Sequence, residues 1–145
     1  MKLILCLEDV TIRQSPFWTI HLLCSEDVVV RGLDVYCDLK NSDGIDIESS
    51  KNVLVENCTF EQGDDAVVIK SGINHDGRRR AIPSEDIVLE DIFATSAKAV
   101  YSFRGYKTEP IRGLKLRNIK VGKVKNPSSA ELVEDMSVVD TPSFR

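Results

Sequence analysis

A short phrase recurs along the chain: a polar residue or glycine, then apolar-x-apolar, then, in all but the first instance, two mostly polar residues and an apolar one. The five phrases are Asp9-Val10-Thr11-Ile12, Asp27-Val28-Val29-Val30, Asn52-Val53-Leu54-Val55, Asp86-Ile87-Val88-Leu89 and Gly113-Leu114-Lys115-Leu116. Their anchors Val10, Val28, Val53, Ile87 and Leu114 lie 18, 25, 34 and 27 residues apart. The alternation continues past each anchor: Val28 leads through Val30 to Leu33 and Val35, Val53 through Val55 to Cys58 and Phe60, and Leu114 through Leu116 to Ile119 and Val121. A period of two marks a strand, and the slip in the middle of each phrase marks a bend. Each phrase therefore predicts two short strands that turn alternate side chains toward one interior.

No stretch shows a capped helical period, so a parallel α/β arrangement has no crossover helices to use. Short strands recurring every twenty-odd residues predict an all-β solenoid of about five coils. Each coil pairs with the next about 4.8 Å away and stacks like residue on like. A β-sandwich or propeller blade is the alternative. Its hairpins call for Asn-Gly or Asp-Gly turns every eight to twelve residues, and only Asp43-Gly44 and Asp76-Gly77 qualify. Other turn-formers, such as Asn41-Ser42-Asp43-Gly44 and Asn126-Pro127-Ser128, separate the phrases.

The longest interval holds residues that a coil does not need. A loop insertion is expected at about 72–83, within a single partial β-helix domain covering 1–145. Insertions in solenoids gather on one face, often the binding face. This one carries Arg78-Arg79-Arg80, which are either solvated or suited to bidentate pairing with an anionic ligand.

Composition narrows the classes further. The chain has 145 residues, 42% hydrophobic and 29% charged, as in an ordinary globular domain. A net charge of −4 weighs against nucleic acid as a partner. No apolar run reaches the eighteen or so residues that span a bilayer, so no membrane partner is expected. The opening Met1-Lys2-Leu3-Ile4-Leu5-Cys6-Leu7 is broken by Glu8-Asp9 without a small-residue cleavage site, and reads as part of a strand. Cys6, Cys24, Cys37 and Cys58 form no Cys-x-x-Cys pair, so buried thiols fit better than a metal site or a disulfide framework.

Alternation accounts for the Val and Ile positions of residues 41–70, but not for Asp43 or for Asp64-Asp65. Asp43 and Asp64 are about one coil apart, so stacking brings all three carboxylates together. Crowded carboxylates raise at least one pKa. A neutral carboxyl beside an ionised one is what glycoside hydrolysis requires. Two other readings stay open on spacing alone: Asx side chains that close turns, and a calcium site. Asp46 is expected to cap or pair locally. Trp18 fits core packing better than a sugar platform.

Asn41-Ser42-Asp43-Gly44-Ile45-Asp46 followed by Gly63-Asp64-Asp65-Ala66-Val67-Val68-Ile69-Lys70-Ser71-Gly72 resembles glycoside hydrolase family 28, the polygalacturonase and rhamnogalacturonase family. Ser15-Pro16-Phe17-Trp18-Thr19-Ile20-His21 is similar to that family's preceding coil. Asp76-Gly77-Arg78-Arg79, leading into Pro83-Ser84-Glu85-Asp86-Ile87, is similar to the following one. The resemblance spans roughly residues 8–92. It implies a right-handed, single-stranded parallel β-helix of the pectin-lyase-like kind that hydrolyses α-glycosidic bonds of pectic polysaccharide or oligogalacturonide with inversion. It implies Asp64 as general acid, with Asp43 and Asp65 positioning and deprotonating the water. Lys70, Arg78 and Arg79 are its candidate substrate-binding cations. Neither cofactor nor metal is implied, and the location is secreted or periplasmic.

The chain departs from the family at two places. The Gly-His-Gly segment expected in the coil after the paired aspartates is missing, as is a later Arg-x-Lys segment that holds the substrate carboxylate. After Ile92 the sequence passes to Phe93-Ala94-Thr95-Ser96-Ala97-Lys98-Ala99, which resembles a much later coil, as though several coils were absent. His21 and His75 sit on the wrong coils to replace the missing histidine. A non-catalytic, carbohydrate-binding or structural β-helix is the competing reading. Exposed strand edges at the coil ends predict end-to-end self-association.

Overall fold

The computed structural model describes residues 4–72, 75, 79 and 82–141. Its strands are all paired in parallel and form two stacks. The smaller sheet has five strands, ordered Ser129–Glu131, Tyr101–Arg104, Val67–Lys70, Ile45–Glu48 and Ile20–Leu23. The larger sheet carries the long strands Lys51–Gln62, Glu85–Ala97 and Lys115–Val124, flanked by shorter ones such as Leu5–Glu8 and Glu26–Arg31. The chain thus winds as a parallel β-helix of about five coils, as the repeat predicts. Among the described residues, no helix is long and apolar enough to cross a membrane.

The polar residue that opens each phrase has a backbone reason. Asp27, Asn52, Asp86 and Gly113 all have positive φ, as do Gly32, Asn57, Asp91 and Asn118 halfway along the same turns. These are the corners at which the strand bends. Gly, Asn and Asp tolerate the left-handed region that other side chains resist. After each corner the alternation resumes. Val28, Val30, Leu33 and Val35 are buried, and Val53, Val55, Cys58 and Phe60 lie in register beside them. Leu116 and Ile119 continue the columns from Leu89 and Ile92. Each such side chain, at 2% exposure or less, contributes about 1.5–3 kcal/mol relative to an exposed one.

One expectation changes. Val10 does not stack on Val28. Leu5 pairs with Val28, whereas Thr11 pairs with Asp34 and Val10 stands beside Leu33. Asp9 is a second-corner residue, with φ of 54°. The two half-turns look alike in sequence because both are a left-handed polar corner followed by alternation. The strand runs unbroken across the point where coils of longer relatives are expected to be absent. Glu85–Ala97 is one strand of 13 residues, in register with the coil before and the coil after.

Most of the expected insertion at about 72–83, including Arg78, Arg80 and Asp76-Gly77, lies outside the described residues; the coil resumes where Glu85 pairs with Lys51. No disulfide joins the cysteines: Cys37 and Cys58 are buried as expected, while Cys6 and Cys24 are exposed.

Candidate active site

Just before the smaller sheet's strands begin, each coil passes through a short connection, and these connections stack like the strands. Thr19 N–H donates to Asp43 O at 2.9 Å, Gly44 N–H to Asp65 O at 3.0 Å, and Ala66 N–H to Ala99 O at 3.0 Å. Successive coils therefore place Trp18, Asp43, Asp65 and Ala99 in one column. Ser42, Asp64 and Lys98 form the column beside it, with Lys98 N–H donating to Asp64 O at 2.8 Å and Asn126 N–H, from the next coil, to Lys98 O at 2.7 Å.

Two glycines allow this close stacking. A Cβ on Gly44 would lie 2.5 Å from both Ala66 O and Phe60 Cδ1, and one on Gly63 would lie 2.2 Å from Leu39 O. Neither glycine has a positive φ. Asp43-Gly44 is thus a close-approach feature rather than a hairpin turn.

One carboxylate oxygen from each of Asp43, Asp64 and Asp65 lies within 4.8 Å of the others. Asp43 is 8% exposed; its neighbours are half-buried. Asp43 Oδ1 accepts the Asp65 N–H at 3.0 Å, and Asp65 Oδ1 accepts the Ala99 N–H at 3.0 Å. Burial, and then the Asp46 carboxylate, push the Asp43 carboxyl up to about 7, outweighing the Asp65 N–H that favours its charged form. Burial likewise raises Asp65, helped by Asp64 and opposed by Lys98. The cluster thus holds a proton at pH values where an ordinary aspartate has lost it.

Lys98 is the cation of this cluster. Its Nζ donates to Asp64 Oδ1 at 2.9 Å, and that bond pushes the ammonium's own pKa up. Sequence reasoning missed this residue. The signal was present in register: Ala97-Lys98-Ala99-Val100-Tyr101 stands one coil beyond Gly63-Asp64-Asp65-Ala66-Val67. That is the coil where the resemblance leads to Gly-His-Gly.

Lys70 is placed differently. It is 9% exposed, and its Nζ lies 2.5 Å from Asp46 Oδ1 and 3.5 Å from the centre of the Trp18 ring. Asp46 therefore pairs with the next coil, not locally. It is fully buried, and its Oδ2 has no hydrogen-bond partner among the described residues. Burial raises its carboxyl against the pull of Lys70.

Trp18 is not part of the core. It is half-buried on the outer face, stacked on the exposed Phe17 at 4.8 Å between ring centres. His21 is exposed beside it, with Nε2 3.0 Å from Glu48 Oε2, and is remote in role from the carboxylate column. Arg79 is exposed, and Arg78 lies outside the described residues.

Comparison with known proteins agrees with this architecture. The family model for glycosyl hydrolases family 28 matches residues 5–75. The chain is 28% identical over 92 residues to a probable polygalacturonase of Vitis vinifera, covering 62% of this chain and 19% of that protein. It is 33% identical over 86 residues to an exo-poly-alpha-D-galacturonosidase of Dickeya chrysanthemi, covering 59% of this chain and 14% of that protein. The structure of a hyperthermoactive exopolygalacturonase from Thermotoga maritima superposes with a TM-score of 0.68 at 31% identity, covering 92% of this chain and 36% of that one. The chain spans about a fifth or less of the length of these two relatives. The stacked Asp43, Asp64 and Asp65 thus lie inside the segment that matches glycosyl hydrolases family 28, on a β-helix similar to that of an exopolygalacturonase.

Proposed function

We propose that this chain hydrolyses α-glycosidic bonds of pectic polysaccharide or oligogalacturonide, as a glycosidase of the polygalacturonase type. The observation that carries this reading is the meeting of three carboxylates from consecutive coils. Asp64 is assigned as the acid that protonates the leaving oxygen. Asp43 and Asp65 hold the attacking water and take its proton. The stacked Phe17–Trp18 pair, one coil earlier, offers a flat apolar face to a sugar ring. Its place in the column supports a substrate lying along the coil axis. The family is generally extracellular, which supports a role outside the cell, on plant-wall polymer.

One observation favours the non-catalytic, carbohydrate-binding reading. The nearest carboxylate oxygens lie within 4.8 Å, closer than the roughly 6.5–9.5 Å between carboxyl groups that leaves room for water in an inverting enzyme. Hydrolysis requires Asp64 to part from the other two as substrate enters. Reducing-sugar release from polygalacturonate, compared with an Asp64→Asn variant, separates the two readings. Release by the parent chain alone supports the hydrolase, with the anomer first formed (by NMR) reporting the stereochemistry. Equal background release from both sinks it.

A further inference from the structure

Among the described residues, Lys70 and Lys98 both stand near the carboxylate column, and of these two Lys98 is open to a ligand. Lys70 is closed: 9% exposed, against buried Asp46, under Trp18. Lys98 is locked by its backbone between Asp64 O and Asn126 N–H, while its side chain is 47% exposed, against 16% for the Asp64 side chain it touches. An ammonium has three donors, and one of them is directed at Asp64 Oδ1. An exposed single-point pair on a flexible four-carbon stem is weakly held and readily exchanged.

We infer that Lys98 is a substrate-released clamp: it holds Asp64 in the empty site, then passes to the carboxylate of an incoming uronate, freeing the acid only when an acidic sugar is bound. The inference rests on the reading of this site as a galacturonate hydrolase and assigns its selectivity. A uronate brings a carboxylate that competes with Asp64 for the same ammonium. A neutral hexose brings none, and leaves the clamp shut.

The exchange also changes the protonation of the site. The carboxylate oxygens of Asp43, Asp64 and Asp65 lie within 4.8 Å of one another, and the Asp64 charge helps raise both Asp43 and Asp65. Removing a cation from that set and adding an anion both favour the protonated form. Among the described residues, the other charged groups facing it are Asp46, which stays paired with Lys70, and the His21–Glu48 pair beyond. Uronate binding therefore draws a proton from solvent into the cluster. Asp64 delivers that proton to the glycosidic oxygen as the C1–O bond breaks. Water forms the new bond to C1, and its proton passes to whichever of Asp43 and Asp65 is ionised.

The test is calorimetric titration of the full chain with galacturonic acid, which has the carboxylate but no bond to cut, and with galactose as the neutral counterpart. Runs near pH 6 in buffers of low and high ionisation enthalpy count the protons taken up. The wild-type chain is expected to bind galacturonate at least about tenfold more tightly than galactose, a difference of the size a charge-assisted contact provides, with net proton uptake. Lys98→Met should lose both the preference and the uptake, and Lys98→Arg should keep the preference. Thermal unfolding checks that the variants are folded, and Lys98→Gln replaces Lys98→Met if that one is not. A preference that survives in Lys98→Met, no preference in the wild type, or binding without proton uptake each overturns the inference. None of these measurements needs turnover, so a chain that releases no sugar counts against the hydrolase reading alone.

Discussion

Aspartates stack in two places on this β-helix, and the two stacks are built differently. At the corners of the larger sheet, Asp27 is followed one coil on by Asn52, and Asp91 by Asn118, with each amide donating to the carboxylate before it. All four residues have positive φ. Carboxylate alternates with amide, so the stack is a ladder of hydrogen bonds without like-charge contact. In the candidate active site, Asp43, Asp64 and Asp65 meet with no amide between them, and none has a left-handed backbone. Local conformation accounts for the corner aspartates and does not account for the site. Residue type and stacking are shared. The partner across the coil separates a structural aspartate from a chemical one.

The largest expected effect tests that separation directly. Asp64→Asn should lower hydrolysis of polygalacturonate about a thousandfold, the middle of the range for a lost acid or base. Asp91→Asn, which keeps corner geometry, should leave the rate unchanged in the same reducing-sugar assay. An equal loss in both would erase the comparison.

Stability should move the other way at the site. The folded Asp43 carboxyl titrates near 7 against an ordinary value of 3.8, so the folded chain holds that proton more tightly than the unfolded one. The stability this proton confers is complete below about pH 4 and is lost as the pH rises toward 7. Asp43→Asn removes the penalty. It should raise stability at pH 7 by about 2–3 kcal/mol, with a flatter pH dependence in chemical denaturation, while abolishing activity. A variant less stable than the parent at pH 7 would contradict the assigned burial cost.

The corners should respond to backbone chemistry alone. Asn57, with φ of 52°, tolerates a conformation that resists a β-branched side chain. Asn57→Val should cost about 1–2 kcal/mol, seen as a melting temperature lower by several degrees. Asn57→Gly should stay within a few tenths of a kcal/mol, because glycine adopts this conformation readily and loses only the side-chain bonding. A larger loss for glycine than for valine would mean that the side chain, and not φ, holds the corner.

Much of this was visible before the structure. Period-two alternation in Val53-Leu54-Val55 and Cys58-Thr59-Phe60 reports which side chains face inward, whatever the coil stacks against. The slip between Val55 and Cys58 marks the corner at Asn57. Asp43 and the Asp64-Asp65 pair stood out because no strand pattern asks for them. Val10 misled because both half-turns carry the same pattern. Trp18 shares the inward parity of Ile20 and Leu22 but precedes their strand, so its indole leaves the core and packs on Lys70 over a partly buried outer face.

The sequence alone thus determined the coil, its corners and the residue types of the site, since these follow from alternation and left-handed tolerance along a single strand. The tertiary structure alone decided which residues are neighbours across coils. Hydrogen-bonded neighbours are 22 residues apart for Asp43 and Asp65 but 34 apart for Asp64 and Lys98, because the coils differ in length. No periodicity carries that register. It is set by glycines that let backbones approach and by core columns that stack, and through it Lys98 comes to rest on Asp64.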